Sequence, residues 1–594
     1  MRIGLVTEGG FPYVSGDAGL WCERLVRGLG QHEFDLYALS RSRRQEDEGW
    51  VPLPRQVSRV RTAPLWTTED DGVRLGRRAR RRFAECYGEL AAVLGAAGGP
   101  GPGGQGSRGR RDGEADRFAS ALYGLAELAR DTGGLAGALR SETAVRALEH
   151  ACRAPGASRA AREARVPDLL TVAAHLEHSL RPLSLDWYDD DGLGAADLCH
   201  TAGGGTAALP GLLARHFCGV PVLVTEYGVP LRSHYLTSAA DGTAPAARAL
   251  LAAFHGRLVT EVYRQAALLT HGNAHTRRWQ ERCGADPARL RTVPPGMDAT
   301  AFAEAGEGAE TGGGASPQAA EDTLVWVGRI EPAKDLVSLL HAFAEVRRAQ
   351  PRARLRIVCT ATPGGPEAAA YLGHCKALAA QLFPDEAEGP HTAGENPVSF
   401  EEVGGPEAPT LADAYASGAV IVLSSVVEGF PAGLVEAMFS GCATVSTDVG
   451  AVVEVIGGTG LVVPPRNPRA LAEACVALLR DPERRARLGA AARARALELF
   501  TVEQNIAAFH GIYLEIVSQC PVRRVVLDAS GEPLPFAAPA EAHLPGRWTG
   551  QATTAAAGAG AAAASSPARR GGPAWAAAAA SRTQHPAPAP EAAR

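Results

Sequence analysis

Apolar residues fall into two patterns along this chain. Some form short unbroken runs, and others recur every three or four positions across longer stretches. The runs predict strands buried on both faces, and the recurrences predict helices with one buried side. Residues 2–7 read as a strand ending at Glu8, and Trp21, Leu25 and Leu29 stripe the helix after it. Residues 197–200 and 220–225 read as two more short strands. In the second half, residues 324–328 form a strand, followed by a helix with Leu336, Leu339, Leu340, Phe343 and Val346 on one face. The run 419–423 reads as a buried parallel strand, and the stretch after Pro431 as a helix closed by Gly441. A last helix, 502–517, carries Ile506, Phe509, Ile512 and Tyr513 along one side. Alternation of strand and helix predicts an α/β fold with parallel sheets.

Connector-like composition marks where this pattern breaks. A Gly/Arg/Pro stretch predicts a flexible loop at about 95–115, and Gly/Ala-rich 303–321 predicts a linker between two halves. The chain is thus read as a domain over 1–302, a second over 322–500, and a helix over 501–520. An Ala/Pro-rich tail at 541–594 is expected to be disordered. With 594 residues, the chain exceeds what one hydrophobic core holds. Gly101 to Gly106 satisfies G-x-G-x-x-G, but it follows no strand, so it does not support a nicotinamide enzyme.

Chemistry concentrates where strands of the second half end. Glu428 lies in the turn after the 419–423 run, and Glu436 on the following helix, eight positions later. In open α/β sheets, ligands bind at such strand ends. Two acceptors beside the N–H groups of a helix start suit a ligand bearing hydroxyls on both sides of a diphosphate. Arg329 and Lys334 follow the 324–328 strand and occupy the same edge. Of 60 Lys plus Arg, only Lys334 and Lys376 are lysines, so position 334 marks a place for a compact ammonium.

As a set, these residues resemble the donor half of retaining glycosyltransferase family 4. The matching pieces are Val327-Gly328-Arg329 with Lys334, the Glu428 to Glu436 segment, Thr447 to Ala451, and Gly460 to Pro465. The first half is similar to the subgroup of the Pel exopolysaccharide glycosyltransferase, through Thr7 to Val14, Trp21 and Thr225 to Gly228. It departs from that subgroup at Asp17, where a Gly is usual, and at Tyr227, where a His is usual. The resemblance implies a GT-B fold, two Rossmann-like doubly wound domains facing a cleft, with the acceptor on the first and the donor on the second. It implies a retaining transfer of a hexose from a nucleotide-diphosphate sugar, a UDP-sugar foremost, to a glycan or other hydroxyl acceptor. Polysaccharide or glycoconjugate biosynthesis would be the setting.

Under that resemblance Arg329 and Lys334 neutralise the leaving diphosphate, so no metal or other cofactor is expected. Glu428 holds the sugar and its developing positive charge, and Glu436 holds the ribose hydroxyls. Gly429, Phe430, Pro431, Ala432, Gly433 and Leu434 complete the substrate-binding segment through backbone N–H groups. In the first half, Gly16, His200 and Glu226 are expected to line the substrate side of the sheet, next to Glu8. Two other readings share these residues: a sugar-nucleotide epimerase of the same shape, and a non-catalytic nucleotide-sugar-binding subunit.

Composition excludes several classes. Net charge is −5 and the pI about 6.4, with acids and bases interspersed, so no nucleic-acid-binding face is expected. The cluster Arg77 to Arg82 reads as a solvated helix face. Eleven scattered cysteines without metal-ligand spacing suit a reduced cytoplasmic protein. Asp189 to Asp191 reads as an acidic turn rather than a metal site. No export signal or membrane-spanning run is expected, which leaves peripheral association with a membrane export complex compatible with the chain.

Overall fold

A computed structural model describes residues 1–13, 17–96, 106–189, 191–238, 242–303, 322–360, 366–383 and 396–522. Two compact units emerge. The first gathers Met1–His271, Arg278–Arg291 and the described residues from Ala508 on. The second gathers Gly272–Arg277 and Thr292–Ala507.

In the first unit the strands are β1 (Arg2–Glu8), β2 (Glu33–Ser42), β3 (Val57–Trp66), β4 (Leu198–Thr201), β5 (Val222–Glu226), β6 (Leu268–His271) and β7 (Leu290–Thr292). They form one sheet in the order β3-β2-β1-β4-β5-β6-β7. Neighbours from β3 through β6 run parallel, with Leu5 level with Leu36 on one side and His200 on the other. Ile3 to Thr7 are all buried, as a strand covered on both faces requires. Helix α1 (Asp17–Gly28) returns after β1 and buries Trp21 and Leu25, with Leu29 just beyond it.

Between β3 and β4 the chain makes a helical insertion that includes α2 (Arg77–Gly95), α3 (Gly106–Thr132) and α4 (Val166–Leu180). The loop expected at about 95–115 is shorter than its composition suggests, because α3 starts at Gly106. Phe118, Leu122 and Leu125 of α3 join Phe83, Tyr87 and Leu90 of α2 in one core cluster, which draws the glycine-containing first turns into helix. The arginines at 77–82 lie on the outer side as read; Arg81 and Arg82 pair with Glu85, Glu127 and Asp131. Helix α5 (Leu209–Cys218) follows β4, α6 (Pro230–Thr237) follows β5, and α7 (Pro245–Gln265) leads into β6.

The second unit holds β8 (Thr323–Gly328), β9 (Arg354–Cys359), β10 (Val398–Glu402), β11 (Val420–Leu423), β12 (Ala443–Thr447) and β13 (Leu461–Val463). Their order is β10-β9-β8-β11-β12-β13, and all five pairings are parallel. Alternate residues serve opposite faces. Leu324, Trp326, Val420 and Val422 pack with Leu336, Leu339, Leu340, Phe343 and Val346 of α8 (Leu336–Ala349). Val325, Val327 and Ile421 pack instead with Leu434, Val435 and Met438 of α9 (Ala432–Phe439). Double coverage explains why the strands read as unbroken apolar runs. Gly441, two residues past α9, has φ +69°, a conformation that glycine reaches without a Cβ penalty.

Both units are thus parallel-sheet, Rossmann-like α/β domains. In each, the strand order reverses beside the first strand, between β1 and β4 and between β8 and β11. The boundary differs from the expected one, since Thr292 to Phe302 cluster with the second unit. Met297 N–H donates to the Phe500 carbonyl (2.8 Å), Val502 N–H to that of Met297 (3.2 Å), and Asn505 Nδ2 to that of Pro294 (2.7 Å). These long-range bonds leave no signal in local composition. Helix α10 (Val502–Gln519) buries Phe509, Ile512 and Tyr513 as its stripe predicts, whereas Asn505 is buried more deeply than Ile506. The expected linker at 303–321, apart from residue 303, lies outside the described residues, as does the tail at 541–594.

Candidate active site

The second unit brings the expected charged residues to the reversal point of its sheet. There, β8 and β11 are neighbours, and their carboxyl-terminal loops run side by side. Three contacts join these loops: Val426 N–H donates to the Ala333 carbonyl (2.8 Å), Ser424 Oγ donates to the Lys334 carbonyl (2.7 Å), and Lys334 forms a salt bridge with Glu428. Ser425 Oγ donates to the same Glu428 oxygen, Oε1, at 2.7 Å. The two charged side chains are 20% and 10% exposed, so most of the pair is out of water. An ion pair this enclosed is held by geometry and hydrogen bonds more than by net stabilisation.

Arg329 is not drawn into that pair. Its side chain is 64% exposed, and its Nε lies 3.4 Å from Glu331 Oε1. Residues 332–334 form a 3-10 turn, after which Asp335 takes φ +47° and caps α8 by accepting from Ser338 N–H at 3.2 Å. This turn directs the Lys334 side chain to Glu428 while leaving Arg329 at the surface.

Glu436 sits on α9 and accepts a 2.8 Å hydrogen bond from the Tyr415 hydroxyl. Burial, reinforced by the charge of Glu436, holds the Tyr415 hydroxyl protonated far beyond the usual phenol range. A Cβ at Gly433 would stand 3.2 Å from the Tyr415 hydroxyl, close enough to press on this pair. At the start of α9, Ala432 donates to the Phe430 carbonyl, and Leu434 and Val435 donate to that of Pro431. Gly433 N–H is then the first-turn donor with no acceptor among the described residues. Phe430 is half-buried against Phe500, while Pro431 and Leu434 are buried, so this segment offers backbone rather than side chains. Gly450 (φ +58°) packs so closely on the Glu428 carbonyl that a Cβ would come within 2.5 Å of it.

In the first unit Glu8 and Glu226 are the last residues of β1 and β5, at the carboxyl edge as expected. His200 corrects the expectation for its position. It is level with Leu5 and Leu223, three residues short of that edge, and is fully buried. Its ring nitrogens lie 2.8 Å from the Tyr513 hydroxyl and 2.7 Å from Thr225 Oγ1, and burial lowers its pKa to about 3. His200 is therefore a neutral core residue, not one that lines an open surface. Glu226 is also buried, accepting from the Tyr263 hydroxyl and, at 3.0 Å, from Gln280 Nε2. Burial raises its pKa to about 7. Tyr227 packs edge-on against Trp21, ring centroids 5.4 Å apart. Gly16 lies outside the described residues.

Asp189 pairs with Arg61 (3.2 Å), and the Asp191 carbonyl accepts from Arg2 and Arg59, so these groups brace the sheet. Sequence reasoning missed Ser424, Ser425 and Tyr415. The serine pair had a legible signal, two hydroxyl residues directly following an apolar strand. Tyr415 had none, because its role depends on the fold that brings it to Glu436.

A family model described as glycosyl transferases group 1 matches residues 321–481, and a model for a domain of unknown function, DUF3492, matches residues 1–288. The chain is similar to D-inositol 3-phosphate glycosyltransferase of Kineococcus radiotolerans, 35% identical over 39% of this chain and 52% of that protein. It is 30% identical to the enzyme of the same name from Kribbella flavida, over 50% of this chain and 68% of the relative. The chain spans about half the length of the first of these relatives. Sucrose-phosphate synthase from Thermosynechococcus elongatus shares the fold, with a TM-score of 0.51 at 17% identity, over 87% of this chain and 99% of that one.

Proposed function

Since the chain belongs to the group 1 glycosyl transferases, we propose that it moves a hexose from a nucleotide-diphosphate sugar, a UDP-sugar first among them, to a hydroxyl of a glycan or other acceptor. The observation that carries this reading is the joining of Lys334 and Glu428 at the reversal point of the second sheet. Ligands of open α/β sheets bind at such points, outside the carboxyl ends of the strands.

In the reaction, the bond from the anomeric carbon to the diphosphate oxygen breaks and one to the acceptor oxygen forms. The acceptor proton leaves with the diphosphate. Configuration is retained when the acceptor attacks from the face that the diphosphate vacates. The Lys334 ammonium meets the growing charge on the diphosphate, and Arg329, exposed at the same strand end, adds a second cation. A fixed donor at such a position is worth roughly 3–4 kcal/mol of barrier. Glu428, released from part of its pairing when the diphosphate takes the ammonium, faces the positive charge developing on the sugar. Glu436, braced by Tyr415, accepts from ribose hydroxyls, and Gly433 N–H donates to the donor.

Purified protein should be stabilised by its nucleotide sugar, by about 2.7 kcal/mol at 100 times the dissociation constant. Product analysis should then find the sugar on an acceptor with the donor's anomeric configuration. A rearranged nucleotide sugar formed without acceptor would mean an epimerase, and binding without turnover a non-catalytic subunit.

A further inference from the structure

Trp66 closes β3 at the carboxyl edge of the first sheet, the edge that also carries Glu8 and Glu226, and its indole is 50% exposed. Scattered apolar exposure is ordinary, but this ring is held in place. His178 lies against it with ring centroids 3.7 Å apart, and His175 meets it edge-on at 5.5 Å. His178 Nδ1 is itself 3.0 Å from the Leu65 carbonyl and 3.0 Å from Glu177 Oε2. Glu177 pairs with Arg181, which is wholly buried and donates to the carbonyls of Thr67 (3.0 Å) and Glu69 (2.7 Å). Arg140 donates to the Thr68 carbonyl at 2.6 Å. Side chains thus grip the backbone on both sides of one exposed indole. A buried ion pair adds little stability on its own, and fixing a position is its better-attested use.

The surroundings say what such a ring would meet. Nearby charges are matched, Arg43 with Glu69 and Arg140 with Asp70, so the platform is electrically balanced and offers nothing special to a phosphate. The imidazoles of His175 and His178 border the ring. An aromatic face with polar nitrogen edges suits a neutral sugar ring, whose C–H face stacks while its hydroxyls hydrogen-bond. The ring is already oriented, so stacking costs little ordering entropy.

We infer that Trp66, bordered by His175 and His178, is a platform for a neutral pyranose of the acceptor, which makes the acceptor a glycan; this rests on the glycosyl-transfer reading above. The test uses the full chain with maltohexaose and cellohexaose as probes and calorimetry as the readout. Wild-type protein should bind at least one of them. Trp66→Ala should weaken that binding about tenfold, or roughly 1.4 kcal/mol, and Trp66→Phe should weaken it less. Leu170→Ser, on the exposed side of α4, should change nothing. UDP-glucose should raise the thermal midpoint of the Trp66 variants as it does that of wild type, which also shows that they are folded. Failure of wild type to bind either oligosaccharide, or equal binding by Trp66→Ala, overturns the platform. Binding of phosphatidylglycerol vesicles that is lost in both Trp66→Ala and Leu170→Ser also overturns it, in favour of a membrane contact. Trp66-dependent oligosaccharide binding without any response to nucleotide sugars would leave the platform standing and sink the transfer reading instead.

Discussion

Among single residues, Glu226 shows most clearly how environment resets chemistry. Its carboxyl is buried beneath Tyr263 and Gln280, and burial raises its pKa from the ordinary 4.5 to about 7. The folded protein therefore binds a proton that the unfolded chain releases between those values. The contribution of this one group to unfolding free energy then falls as pH rises from about 4.5 to 7, by on the order of 3 kcal/mol. Glu226→Gln should lose that contribution, so the stability difference between wild type and variant in denaturant titrations should shrink as pH rises across the range. A difference that does not change with pH would place the proton elsewhere. His200, enclosed between Tyr513 and Thr225 with its pKa lowered from 6.5 to about 3, works the other way: the unfolded chain binds its proton first, so this group's contribution to stability rises with pH between those values.

At the level of elements, the site consists of two loops that hold each other. The turn after β8 carries Lys334 and the turn after β11 carries Glu428, residues 94 positions apart in sequence. Removing either partner strands a mostly enclosed charge. Lys334→Ala and Glu428→Ala should each cost roughly 2–3 kcal/mol, below the 3–5 kcal/mol of a fully buried pair because both side chains keep some solvent. Each should also lower transfer at least about 100-fold. The double variant Lys334→Met/Glu428→Leu should recover much of the stability and none of the transfer. Stability by thermal melts and turnover by product assay separate the two effects. Undiminished transfer in either single variant would refute the assigned roles.

For the whole molecule, two doubly wound units repeat one arrangement, and the second concentrates its chemistry where the strand order reverses. Among the described residues no helix is long and apolar enough to cross a membrane. If side-chain cations alone meet the leaving group, transfer should persist in excess EDTA, and abolition by chelation would demand a metal. Much of this was legible in sequence. Apolar periodicity is a local property, so the strands at 2–7 and 324–328, the stripe of α8 and the strand-end positions of Glu8, Arg329, Lys334 and Glu428 follow from neighbours in the chain. Tertiary structure alone decided which strands adjoin. The pairing of β8 with β11 brings Lys334 to Glu428, the register of β4 sinks His200 below the edge, and the packing of α9 gives Glu436 its tyrosine. These depend on contacts between distant segments, whose cost and reward are settled only when the sheet closes its order, and no local pattern of residues encodes that choice.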